Sequence, residues 1–152
     1  MTECSRPAAA NVGSLVCLSA LCLVPMGLLP TATADPRTDY MLDCMGCHRA
    51  NGAGVPGKVP DMRSSLVLLS GTPEGRRYLV EVPGVAQAPL SSAALAHLLN
   101  WMVHHLSAAA APRSFRRFTE EEVAAYRKIP LVDVIDVRRR LLAAAAKQPA
   151  GR

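Results

Sequence analysis

The sequence predicts an all-α fold, and three observations carry the prediction. Leu95, Leu98, Leu99, Met102, Val103 and Leu106 recur at the spacing of one helix face. Thr119 and Glu122 have the spacing of a helix-start pair. After Pro130, residues Leu131, Val134, Ile135, Leu141 and Leu142 repeat at helical spacing. At 152 residues, half of them hydrophobic and 4% aromatic, the chain suits a single small core.

The elements follow in chain order. A short leader carrying Arg6 precedes the apolar stretch Ser14 to Leu29, and Ala32-Thr33-Ala34 has the small-x-small pattern of a signal-peptidase site. The expectation is a signal peptide over residues 1–34, cleaved after Ala34, with export to the periplasm. An uncleaved anchor is the alternative. Pro25, Gly27 and Pro30 interrupt that stretch, which is shorter than the roughly 20 residues a spanning helix needs, so no stable membrane span is expected. The residues before Cys17 and Cys22 do not make a lipoprotein signal.

Cleavage would remove Cys4, Cys17 and Cys22 and leave Cys44 and Cys47, which is no disulfide framework for an exported chain. Asp35-Pro36 reads as the start of a short helix, with Asp35 as its cap and Tyr40, Met41 and Cys44 on one face. Three chemistries compete for the run Cys44-Met45-Gly46-Cys47-His48. A thioredoxin-like redox pair should follow a strand in a βαβ unit, and no such pattern surrounds it. A zinc site needs a second ligand pair, whereas the other histidines are scattered on a later helix. The adjoining His48 fits covalent haem attachment, in which two thioethers hold the macrocycle and the imidazole reaches the iron. Cys44 and Cys47 are thus the candidate anchors for one haem c, and His48 is the proximal iron ligand.

After His48, the glycines and prolines from Gly52 to Pro60 exclude both helix and strand and predict a tight loop. With this motif, this loop and a later amphipathic helix, the region from about Asp35 to Leu106 resembles the class I cytochrome c family. The resemblance implies a cytochrome c domain over residues 35–106. It also implies that Pro60, a dozen residues after His48, accepts the imidazole N–H through its carbonyl, a bond that fixes the ring and tunes the iron. Met62 stands where the family usually has a leucine packed on the haem. Trp101 resembles the aromatic that packs on the first helix and the haem edge.

Ser91 or Ser92 caps the closing helix, whose apolar stripe leaves His97 and His104 on the opposite side and His105 on a flank. Family members usually supply a distal methionine, often as Met-Pro, from the loop before this helix. Here that loop, Glu81 to Leu90, has Val82-Pro83 and Ala88-Pro89 instead. Met102, central in the stripe, is the candidate distal ligand, although methionine at such a position is more often core. A helix histidine, Gln87 or an open position are the alternatives.

Residues 107–152 exceed the minimal domain and predict a helical extension packing on or beside it. Its helices are expected over Glu120 to Lys128 and from Leu131 onward, with Arg138 to Arg140 as a solvated basic face. Arg76 and Arg77 are candidates to pair with a haem propionate or to lie on the surface. The chain carries 17 Lys and Arg against 12 Asp and Glu, and losing Arg6 and Glu3 with the leader keeps the balance at +5. That charge suits an acidic docking face on a redox partner protein, and nucleic acid is not an expected partner. The sequence therefore reads as an exported mono-haem electron carrier, with a periplasmic dehydrogenase as candidate donor. The runner-up is a haem small-ligand binder or weak peroxidase. No nucleophile–base or paired-carboxylate constellation suggests an enzyme in its own right.

Overall fold

Helix-start residues and apolar stripes set the order of the elements. The computed structural model describes residues 35–109, 111 and 113–147, which lie in a unit running Ala32–Arg152. The expected signal peptide lies outside the described residues. Eight helices occur among them: α1 (Pro36–Asp43), α2 (Met45–His48), α3 (Leu66–Ser70), α4 (Pro73–Glu81), α5 (Pro83–Ala86), α6 (Ser92–His105), α7 (Glu120–Tyr126) and α8 (Val134–Ala145). The only β pairing among the described residues is an isolated antiparallel bridge between Val55 and Val59. The fold is all-α, as expected. None of the described helices is long and apolar enough to cross a membrane.

The longest helix, α6, is capped by Ser91, whose Oγ accepts the Ala94 N–H at 3.1 Å. That bond satisfies one of the orphan donors of the first turn. The predicted stripe is buried throughout and runs through the centre of the core. α1 packs on α6, with the Tyr40 and Trp101 rings 5.6 Å apart. Asp35 does occupy the N-cap position of α1, but its carboxylate makes no capping bond. Of the face expected on α1, Tyr40 is buried and Cys44 half-buried, whereas Met41 turns to solvent at 49% exposure.

Helices α3 to α5 fill the span between the loop after His48 and α6. Thr72 caps α4 by accepting the Gly75 N–H at 3.1 Å, and Pro73 opens its first turn with a pre-set φ. Gly75 lies directly against α3, since a Cβ there would stand 2.1 Å from the Leu69 carbonyl oxygen. The segment expected as a plain loop before α6 contains the turn α5, because Pro83 follows an extended Val82 and starts a helix.

The segment after Leu106 completes the same core. Phe118 and Val123 are buried, and the Asn100 side chain from α6 bonds both the Phe118 N–H (2.8 Å) and its carbonyl (3.0 Å). Thr119 caps α7 by accepting the Glu122 N–H. The reciprocal half of the expected capping box is missing, because the Glu122 carboxylate is taken by Arg76 at 2.7 and 2.5 Å. α7 ends at Tyr126, short of Lys128. α8 starts at Val134 under the Asp133 cap, because the Leu131 N–H is held instead by the Glu81 carbonyl at 2.8 Å.

Arg76 is 3% exposed, and it joins α4 to the chain around α7. Besides Glu122 it donates to the carbonyls of Arg116 (2.6 Å) and Arg117 (3.2 Å), and its guanidinium lies 3.9 Å over the Phe118 ring. Burial raises the Glu122 pKa, but the Arg76 and Arg116 guanidiniums outweigh it and hold the carboxyl below its ordinary range. The pair therefore stabilises the fold above the ordinary glutamate range, and this contribution is lost as pH falls through the folded-state value. Arg76→Met, which leaves the buried Glu122 carboxylate with only the exposed Arg116 as partner, should cost about 3–5 kcal/mol in denaturant unfolding. Most of that difference from wild type should vanish on acidification. Gly75→Ala should cost about 1–3 kcal/mol by overpacking against Leu69, measured the same way.

Candidate haem site

One nearly continuous helical stretch sets the motif. Cys44 follows the last turn of α1, its N–H bonded to the Tyr40 carbonyl at 3.0 Å, and the N–H groups of Cys47 and His48 both return to the Cys44 carbonyl. The chain then leaves the helix at Arg49 with φ 58°, a conformation that few non-glycine residues adopt. The Tyr40 hydroxyl holds it there, donating to the Arg49 carbonyl at 2.6 Å. Beyond that contact the loop doubles back on itself. A Cβ on Gly54 (φ 67°) would stand 2.4 Å from the Val59 carbonyl oxygen, so only glycine fits this bend.

Cys44, Cys47 and His48 all line one cavity of about 310 Å³. Pro60 and Met62 border it from the loop, Leu66 and Leu69 from α3, and Leu99 and Met102 from α6. Both cysteines are free; Cys44 is half-buried and Cys47 exposed. Burial pushes the Cys44 thiol up to about 11, with Asp43, Asp39 and Cys47 adding to the effect. Burial likewise holds His48 below the ordinary imidazole value; the Pro60 carbonyl opposes this shift and the Arg138 charge reinforces it. The neutral ring is the form that ligates a metal. His48 Nδ1 is buried without a partner in hydrogen-bond geometry, so Pro60 stands beside the ring without completing the bond expected of it.

The walls are mostly aliphatic, with Asp43 beside Cys44 and a polar group of Ser65 and Arg138. Arg138 reaches in from α8 and donates to the Asp61 carbonyl (3.0 Å) and to Ser65 Oγ (2.8 Å). Tyr78 also lines the cavity; burial raises its phenol above its ordinary pKa and the Arg138 charge opposes the shift. The expectation of a solvated basic face holds for the exposed Arg139 and Arg140 and fails for Arg138. Its position was the available signal: Arg138 falls between Val134 and Leu141–Leu142 on the apolar side of α8. Arg76 and Arg77 do not border the cavity. Arg76 is locked in its buried knot, and the exposed Arg77 pairs with Glu81 at 2.6 Å.

The remaining site expectations separate. Met62 and Met102 both line the cavity; Trp101 does not, and it packs between Tyr40 and His105 (ring centroids 4.9 Å apart from the latter). His97, His104, His105 and Gln87 are exposed and absent from the walls. From the loop before α6, Val82, Pro83, Gly84 and Val85 face the cavity.

Two thiols and an orphaned imidazole on one apolar cavity fit a macrocycle held by two thioethers and one nitrogen ligand. Among the described residues no three His, Cys, Asp or Glu side chains gather as a bare-ion site.

No family model matches the chain. It is 29% identical over 136 aligned residues to a cytochrome c-552 of Thermus thermophilus, an alignment that spans 76% of this chain and 91% of that protein. It is also 29% identical over 118 residues to a second Thermus thermophilus cytochrome c-552, spanning 64% of this chain and 90% of the relative. Both relatives are cytochromes c by name, and the all-α fold described above is consistent with that likeness.

Proposed function

We propose that this chain is an exported cytochrome c with one covalent haem, passing single electrons between protein partners. The convergence of Cys44, Cys47 and His48 on one apolar cavity carries the reading. Bound haem supplies a reversible one-electron change at iron. The chain's own residues do the rest. Cys44 and Cys47 would hold the macrocycle as thioethers, and His48, whose Nδ1 is buried beside Pro60, would ligate the iron. Met62 packs on the His48 side. Arg138, bonded to Ser65 on the cavity wall, is the cation that would pair with a propionate.

The excess of basic side chains, with Arg113, Arg116, Arg117, Arg139 and Arg140 exposed, suits an acidic docking face on the partner. A periplasmic dehydrogenase handing electrons to this carrier is the donor we favour. Transfer between the two should slow as ionic strength rises.

Expression with a haem-attachment system should give a protein that keeps its haem stain on a denaturing gel, and Cys44→Ala/Cys47→Ala should abolish the stain. A wild-type chain without covalent haem sinks the proposal. Arg138→Gln, which removes a cation close to the haem, should lower the midpoint potential by roughly 20–60 mV, up to about one tenfold step for a one-electron couple. Arg139→Gln, exposed and off the cavity, should leave it unchanged in the same redox titration.

A further inference from the structure

The cavity walls differ in what they offer an iron atom. A Cβ on Gly52, in the loop after His48, would meet Met62 Cε at 3.7 Å and Leu106 Cβ at 3.5 Å. Leu106 lies one helical turn beyond Met102 on the same stripe of α6. Met62 thus packs beside the loop after His48, and Met102, 4% exposed, belongs to the buried core stripe of α6. The wall running from Leu79 to Val85 presents Leu79, Val82, Pro83, Gly84 and Val85. It has no side-chain atom able to bind iron.

That wall is also fastened in place. Arg127, at the end of α7, donates to the carbonyls of Ala86 (3.2 and 3.1 Å), Ala88 (2.8 Å) and Leu90 (2.7 Å). The Leu131 N–H holds the Glu81 carbonyl at its other end. Four guanidinium bonds on three alternate carbonyls leave the loop little freedom to bring another group to the cavity.

We infer that the chain leaves the sixth position of its haem iron open toward the Leu79–Val85 wall, and that this position admits a small neutral diatomic ligand such as carbon monoxide or nitric oxide. The inference rests on the haem attachment proposed above. An anion entering among aliphatic side chains would lose its hydration with no donor to replace it, whereas an uncharged diatomic loses little. The one cation on the walls, Arg138, is bonded to Ser65 and the Asp61 carbonyl, and the other charged side chain there, Asp43, is acidic and would repel an anion. Met102 stays a packing residue of α6.

The test is a carbon monoxide titration of the dithionite-reduced holoprotein, followed by its Soret band. The native protein should bind rapidly and completely. Met102→Leu, which preserves volume, should leave the ferric spectrum unaltered and the carbon monoxide affinity within about twofold. Val85→Phe should slow carbon monoxide entry about tenfold, and azide should leave the ferric spectrum unchanged. An iron–methionine charge-transfer band in the ferric protein that disappears in Met102→Leu overturns the inference. So does a Val85→Phe rate equal to wild type, and azide binding as readily as carbon monoxide overturns the ligand class. Protein without covalent haem overturns both readings; a haem-bearing protein that ignores carbon monoxide overturns this one alone.

Discussion

Guanidinium groups satisfying backbone carbonyls hold the irregular parts of this fold together. Helices consume their own carbonyls, but the stretches at 61–65, 86–90 and 116–117 wrap around a cavity and cannot. Three arginines take up those acceptors. Arg138 bonds the Asp61 carbonyl, Arg127 bonds Ala86, Ala88 and Leu90, and Arg76 bonds Arg116 and Arg117. Each bond joins segments far apart in the chain, so each also fixes where a loop lies. The rigid planar fork suits arginine to this task, and lysine could not satisfy three carbonyls from one head group in the same geometry.

The need for such fastening follows from the cavity. The walls of a cavity of about 310 Å³ have few side chains on its inner side to pack against, so they are held from outside, by polar bonds between loops and by the buried stripe of α6. The burial of Tyr40, whose hydroxyl holds the backbone just after His48, shows the same economy: one side chain serves the core and the motif together.

What could be read from the sequence was local. The Cys44–His48 motif, the serine cap of α6 and its stripe all depend on residues within about four positions of one another, where spacing translates directly into geometry. Helices α3 and α4 escaped notice because they are short and separated by Gly71 and Pro73, which punctuate the pattern before a period can be established. The arginine roles were hidden for a different reason. Arg76 finds Glu122 and Arg138 finds Asp61 only after the chain has folded back on itself, and a charged residue in a basic or helical run looks the same whether its partner is water or a carbonyl. The half-made capping box illustrates the competition: Glu122 has the right spacing to serve Thr119, but a buried guanidinium is the stronger attraction.

The segment after Leu106 is therefore part of the site through its contacts with the walls. α7 ends in the arginine that clamps the loop before α6, and α8 contributes Val134 and Arg138 to the cavity itself. A cytochrome that takes its sixth ligand from that loop needs the loop to place a thioether on iron. In this chain the same loop is short, aliphatic and tied down from outside. The extension thus positions this loop from outside, through Arg127 and the Leu131 N–H, without help from any bond the loop would make to a ligand.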